Sequence, residues 1–267
     1  MRSSVCVSER RTERAEDAPS PGQPGLQRDS LVVVPTYNEA GNLEVLVPRV
    51  LAAGSFDVVV VDDNSPDGTG RIADDLVARF PERVAVIHRP GKLGLGTAYV
   101  AGFGHALARG YERVFEMDAD LSHDPDSLST LRAALEDADV VLGSRHVSGG
   151  EAPGWPLWRR SLSRAGSWYA SRLLGMPFHD LTSGFKGLRR RALEAVDLET
   201  IRSNGYCFQI EVTHRCYRAG LRIAEVPIVF HNRRIGRSKL DRRVVAEALV
   251  LVWQLRSRST LEREGAP

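Results

Sequence analysis

Between residues 31 and 142 the chain repeats a single alternation, and this limits its fold more than any other feature. Short Val-rich runs at 31–34, 58–61, 84–87, 113–117 and 139–142 have the length and β-branched content of buried strands. Between them, residues 43–53, 72–80, 98–108 and 128–135 carry apolar side chains at helical spacing, with Gly54 and Gly110 ending the first and third segments. Strand followed by helix, repeated, predicts an α/β fold with a mostly parallel central sheet and helices on both faces. Pro48 lies inside the first helix and is predicted to kink it. In such sheets ligands bind outside the carboxyl ends of the strands, so the loops after the Val-rich runs should hold the site. Past Trp155 the rhythm changes to helical segments at 159–174 and 208–218 and an extended run at 223–230, expected to complete the sheet and build an acceptor side.

Charge divides along the same boundary. Residues 30–154 carry 10 basic and 19 acidic side chains, net −9, whereas residues 155–267 carry 21 basic and 10 acidic, net +11. One half therefore suits a cation and the other suits anions or an anionic surface. Residues 1–29 mix Arg, Glu, Ser, Pro and Gly without periodicity and are expected to form a disordered tail, as are residues 258–267. The folded domain is expected over 30–257, with 30–154 as its donor and metal half and 155–257 as its acceptor half. Cys6, Cys207 and Cys216 are odd in number and lack metal-ligand spacing, which argues against a disulfide framework and for a reducing cytoplasm. No signal-peptide run and no stretch of about 18 apolar residues is present, so the chain is not expected to cross a membrane. Nothing calls for a nucleic-acid partner.

The fourth Val-rich run leads into Asp118-Ala119-Asp120. Two carboxylates at a strand end can share one hard divalent cation whose other ligands are water and substrate phosphates. A diphosphate leaving group needs such a cation as its charge develops. A phosphatase with an aspartyl nucleophile would place this pair after the first strand, not the fourth. After the second run comes Asp62-Asp63-Asn64-Ser65-Pro66-Asp67-Gly68-Thr69, in which Asp62 is a candidate to read a nucleotide base, Asp63 to hold ribose or sugar, and Asp67 to support them. An Asx turn leading into a helix cap is the competing explanation of this loop. Pro35-Thr36-Tyr37-Asn38-Glu39 adds an aromatic ring and an acid at the same sheet edge. Gly94-Leu95-Gly96-Thr97-Ala98-Tyr99 approaches a dinucleotide fingerprint, but Tyr99 replaces the third glycine and the loop follows the third strand. It is better explained as a tight loop beside the donor, with Lys92 as a phosphate contact.

Taken in order, these strings resemble family 2 glycosyltransferases, which share the GT-A fold, over Leu31 to about Leu255. Within that family the chain is most similar to the dolichol- or polyprenol-phosphate mannose synthases, through the loops above and through Gly143-Ser144-Arg145, Asp180 to Phe185, Gly205 to Glu211, Glu225 to Ile228, and Arg233 to Gly236 with Ser238 and Lys239. The resemblance implies inverting transfer of mannose from GDP-mannose to a polyprenyl phosphate, with Mg²⁺ or Mn²⁺ as metal. It implies that Pro35, Tyr37, Glu39 and Asp62 line the nucleotide pocket, that Asp118 and Asp120 serve metal and donor, and that Arg145, Arg233 and Lys239 hold phosphates. Some relatives carry Gln where Ser122 stands as a third metal contact, and some carry C-terminal membrane spans that this sequence lacks.

A phosphate acceptor is already anionic, so it needs cationic side chains and no general base. Arg145, Arg159, Arg160 and the 233–243 run are the candidates, while Arg189 to Arg191 are expected to form a solvated helix start. The segment 244–255 is apolar apart from Glu247 and Gln254 and is flanked by arginines, so an amphipathic helix is expected there, either at a membrane surface or packed on the domain. It predicts peripheral contact with an anionic membrane, or with a membrane partner subunit, at the cytoplasmic face. The competing readings are a UDP-glucose-dependent polyprenyl-phosphate glucosyltransferase and a non-catalytic nucleotide-sugar-binding subunit.

Overall fold

In the computed structural model, the described residues are 29–201, 203, 205–232 and 249–257. Seven strands form one sheet: β1 (Ser30–Thr36), β2 (Asp57–Asp62), β3 (Val84–His88), β4 (Arg113–Glu116), β5 (Val140–Ser144), β6 (Lys186–Arg189) and β7 (Ile223–Pro227). Their order across the sheet is β3-β2-β1-β4-β6-β5-β7. All neighbours run parallel except β6, which lies antiparallel between β4 and β5. The helices are α1 (Ala40–Ala52), α2 (Thr69–Arg79), α3 (Leu95–Ala108), α4 (Leu128–Ala134), α5 (Leu157–Leu174), α6 (Arg190–Ala195) and α7 (Tyr206–Arg218).

Both faces of the central strands are covered, which is why their sequences are continuously apolar rather than alternating. On one side Val32, Val34, Val58 and Val60 pack against Leu43, Leu46 and Val50 of α1, Leu76 of α2 and Leu131 of α4. On the other, Leu31, Val33, Val59 and Val61 pack against Tyr99 and Phe103 of α3, Leu193 of α6 and Phe208 and Val212 of α7. The approach of α3 to β1 is so close that a Cβ on Gly102 would stand 2.2 Å from Val33 Cγ1. A smaller cluster joins Ala170 of α5 and Ile210 of α7 to Val252 and Leu255 of the helical segment 249–257.

Pro48 sits inside α1, which runs as one helix from Ala40 to Ala52. Two expectations change. Asp29, assigned to the tail by its sequence, is anchored: its carboxylate accepts from Arg113 and from Arg132 (3.3 Å), and its carbonyl accepts from the Arg113 amide at 2.8 Å. The helix start at Arg190 is as expected, but its arginines are engaged. Arg189 Nε donates to the Leu135 carbonyl at 2.5 Å, Arg190 pairs with Glu194 at 2.7 Å, and Arg191 pairs with the buried Asp139. Arg233, Lys239 and the rest of the basic run lie outside the described residues, as do residues 1–28 and 258–267.

Candidate active site

The sheet order reverses between β1 and β4, the point at which open α/β sheets leave a crevice. The register sets Thr36 opposite Asp62, so β1 and β2 end level, while Glu116 lies opposite Val33, so β4 ends three residues earlier along β1. Each exit turns through a residue with positive φ: Asn38 at 62°, Asn64 at 56° and Leu121 at 59°. Asparagine tolerates this conformation, whereas leucine pays roughly 1–2 kcal/mol for it. Two observed features offset that cost: Leu121 is buried in the core, and Asp120 Oδ1 accepts from the Ser122 amide at 3.0 Å, closing the turn over it.

These exits enclose a cavity of about 330 Å³. Pro35, Thr36, Tyr37 and Glu39 line it from the β1 loop, Asp63 from β2, Lys92, Gly94, Leu95 and Ala98 from the start of α3, and Asp118, Ala119 and Asp120 from β4. The far wall is Thr182, Gly184, Gly205, Tyr206 and Gln209. Eight residues singled out from the sequence therefore meet in one place: Pro35, Tyr37, Glu39, Asp63, Lys92, Gly94, Asp118 and Asp120. The Lys92 ammonium sits 4.2 Å from the centre of the Tyr37 ring. Asp63 shapes the opposite loop, its Oδ2 accepting from the amides of Leu93 (3.1 Å) and Gly94 (3.4 Å) while Arg89 lies 2.9 Å from Oδ1, close enough to pair but not aligned as a hydrogen bond.

The donor set suits a divalent cation that takes part of its shell from substrate. Asp118 Oδ1 accepts from the Tyr99 hydroxyl at 3.1 Å, and its Oδ2 faces Gly184, where a Cβ would stand 3.4 Å away. Among the described residues no group of three or more His, Cys, Asp or Glu side chains is set to hold a metal. Two carboxylates plus phosphate oxygens and water is the usual arrangement for Mg²⁺. Ser122 does not join them: its hydroxyl is fully buried, makes no hydrogen bond and is not part of the cavity wall.

Three further residues expected in the site are used elsewhere. The Asp62 carboxylate accepts from Thr36 Oγ1 (3.0 Å), Ser65 Oγ (2.6 Å) and the Ser65 amide (3.1 Å), which fixes the β2 exit. Asp67 accepts from Thr69 Oγ1 (2.6 Å), the Thr69 amide (3.0 Å) and the Ala40 amide (3.2 Å), tying α2 to α1. Slight burial raises its pKa, but these donors outweigh that and hold it below the ordinary value. Arg145 is buried against Asp180, with Nε to Oδ2 at 2.7 Å, Nη2 to Oδ1 at 2.6 Å and Nη2 to Thr182 Oγ1 at 2.9 Å. The rings of Trp155 and Phe230 flank its guanidinium at 5.3 and 5.4 Å. Burial works against both charges, yet the guanidinium holds Asp180 below the usual carboxylate range and Asp180 raises Arg145 in turn. Arg159 stacks 4.1 Å over Trp155, and Arg160 donates to the Ala152 carbonyl at 2.9 Å. None of these three arginines lines the cavity.

The far wall has its own support. Lys186 on β6 faces Glu116 across the β4–β6 ladder, and both are fully buried. Lys186 Nζ donates to the Gln209 carbonyl (2.7 Å) and to its side-chain Oε1 (2.6 Å), fixing the first turn of α7 against the cavity. Burial pushes Glu116 up and Lys186 down, each partly countered by the other's charge.

Residues 31–197 match the family described as Glycosyl transferase family 2. The chain is 45% identical over 258 residues to the polyprenol monophosphomannose synthase of Mycolicibacterium smegmatis, covering 95% of this chain and 97% of that one. It is 47% identical over 231 residues to the undecaprenyl-phosphate mannosyltransferase of Micrococcus luteus, covering 85% and 95%. Among solved structures, the glucosyl-3-phosphoglycerate synthase of Mycobacterium tuberculosis with Mn²⁺, UDP-glucose and phosphoglyceric acid superposes with a TM-score of 0.64 at 21% identity over 86% of this chain and 80% of that one. A mannosyltransferase of Pyrobaculum calidifontis with GDP-Man and Mn²⁺ gives 0.58 at 21% over 86% and 64%. These structures share the GT-A fold with this chain. By the family match and the extent of its likeness to the two mannosyl-transferring relatives, the chain belongs to glycosyl transferase family 2.

Proposed function

We propose that the protein transfers mannose from GDP-mannose to the phosphate of a polyprenyl phosphate, with inversion at the sugar carbon. The observation that carries this reading is the convergence of Asp118 and Asp120 with the β1 and β2 exits on one cavity, in a chain 45% and 47% identical to enzymes named for mannosyl transfer to polyprenyl phosphates. Pro35, Tyr37, Glu39, Asp63, Lys92 and Gly94 form the nucleotide side. Asp118 and Asp120 would hold Mg²⁺ or Mn²⁺, and a cation held there would supply positive charge against that developing on the leaving diphosphate. The acceptor phosphate attacks without a general base, because it is already anionic. Arg233 and Lys239 are its proposed holders, since Arg145 is engaged by Asp180.

The test is transfer of labelled mannose from GDP-mannose to a polyprenyl phosphate with Mn²⁺. Asp118→Ala and Asp120→Ala should each abolish it, and activity surviving both would overturn the reading. Greater thermal stabilisation by GDP than by UDP, with Mn²⁺ present, separates it from a UDP-glucose enzyme.

Peripheral attachment to the cytoplasmic membrane face belongs to the same proposal. Leu157, Trp158, Leu162 and Trp168 of α5 are exposed, as are Leu249, Val250 and Trp253 of the segment 249–257. α5 also carries Arg159, Arg160, Arg164 and Arg172 and no acid, a composition suited to an anionic bilayer surface. No described helix is long and apolar enough to cross a membrane. Flotation with anionic liposomes at low salt should carry the protein upward, and its staying in the dense fraction would refute the attachment.

A further inference from the structure

Tyr99 is fully buried, with its ring held in an aromatic stack. It lies 5.7 Å from Phe208 of α7 at an interplanar angle of 8°, and 6.1 Å from Phe103 of its own helix at 29°. A ring so confined delivers its hydroxyl to a single point, and that point is Asp118 Oδ1, 3.1 Å away. The same carboxylate borders Gly184, where a Cβ would stand 3.4 Å from Oδ2 and 3.7 Å from Oδ1.

We propose that Tyr99 is a positioning residue for the cation: its hydroxyl fixes the orientation of the Asp118 carboxylate that would hold the metal. The inference rests on the reading of Asp118 and Asp120 as the cation-holding pair. A partner that orients a metal-ligating carboxylate is typically worth about 10- to 100-fold in metal affinity or activity. Tyr99 is also the residue that breaks the glycine fingerprint of its loop, so the departure from that pattern places the donor at this point.

The experiment compares Tyr99→Phe with the wild type, titrating Mn²⁺ in the presence of GDP and following free Mn²⁺ by its electron paramagnetic resonance signal. Phenylalanine keeps the stack and removes only the hydroxyl. The Mn²⁺ dissociation constant should rise about tenfold or more, and mannose transfer should fall at limiting Mn²⁺ and recover at saturating Mn²⁺, a recovery that a purely structural defect would not show. Leu76→Ala, which opens a cavity in the core on the other face of the sheet and leaves the Tyr99 stack alone, should lower the melting temperature and leave the Mn²⁺ constant near wild type. A Tyr99→Phe constant within twofold of wild type overturns the inference while leaving the Asp118–Asp120 site intact. Failure of the wild-type protein to take up Mn²⁺ with GDP overturns the cation reading itself, and the inference with it.

Discussion

Replacing Arg145 by alanine tests whether this arginine serves the fold or a phosphate. In the structure its guanidinium makes two hydrogen bonds to Asp180, at 2.6 and 2.7 Å, and one to Thr182, at 2.9 Å. Asp180 is fully buried, so the substitution leaves a carboxylate with no counter-ion and no access to water. Breaking a buried pair from one side costs about 3–5 kcal/mol. For a domain of this size that corresponds to a melting temperature lower by roughly 6–20 °C. Asp180→Asn should be destabilising for the same reason, since it leaves the arginine buried and unpaired. A double-mutant cycle read by urea unfolding should then give a large coupling energy, and Arg145→Met with Asp180→Leu should recover much of the stability that either single change removes. Thr182 and Gly184 wall the cavity on the same loop, so activity should fall together with stability. An Arg145→Ala protein that loses transfer while its unfolding free energy stays within about 1 kcal/mol of wild type would refute the structural assignment and restore Arg145 as a phosphate ligand.

The same pair carries a pH signature. Because Asp180 has a lowered folded-state pKa, its contribution to stability is present above the ordinary carboxylate range near pH 4 and is lost as pH falls through the folded value. The stability gap between wild type and Asp180→Asn, followed by thermal melts across pH, should therefore be widest near neutrality and narrow in acid. Gly102→Ala sets a Cβ 2.2 Å from Val33 Cγ1 and should destabilise by about 1–3 kcal/mol in urea unfolding. A neutral effect there would show that α3 slides on β1 at no cost.

The half of the site nearest the N-terminus was legible because each of its strands is a buried Val run whose following loop must emerge at the same sheet edge. Pro35, Tyr37, Asp63, Lys92, Asp118 and Asp120 were found that way, and all line the cavity. The far wall was not, because its strand hides its nature: β6 puts a lysine at a fully buried position, and only the structure shows the Glu116 and Gln209 that accommodate it. The ion pair of Arg145 was hidden for a related reason. An arginine ending a strand looks like an anion ligand until its partner, 35 residues further on, is seen to be an aspartate of the same fold. Asp62 and Asp67 illustrate the competing use of acidic loops, in which carboxylates serve as local acceptors for Ser65, Thr69 and Ala40. The strings around Thr182, Gly184 and Tyr206 resemble those of the family, yet no local pattern ties them to the cavity.

The antiparallel insertion of β6 also sets an order on synthesis. β1 through β4 can pair as soon as residue 116 has left the ribosome, because their partners all precede it. The outer edge of β4 then stays open until Lys186–Arg189 has been made, which also gives β5 its first partner, and the other edge of β5 waits for Ile223–Pro227. An open strand edge invites pairing with other chains, and late pairings of long sequence separation are slow. The growing chain thus holds a nearly complete nucleotide half with one unprotected border for some 70 residues of translation, at about 5–20 residues per second. That border, rather than the finished protein, is where misfolding during expression would begin.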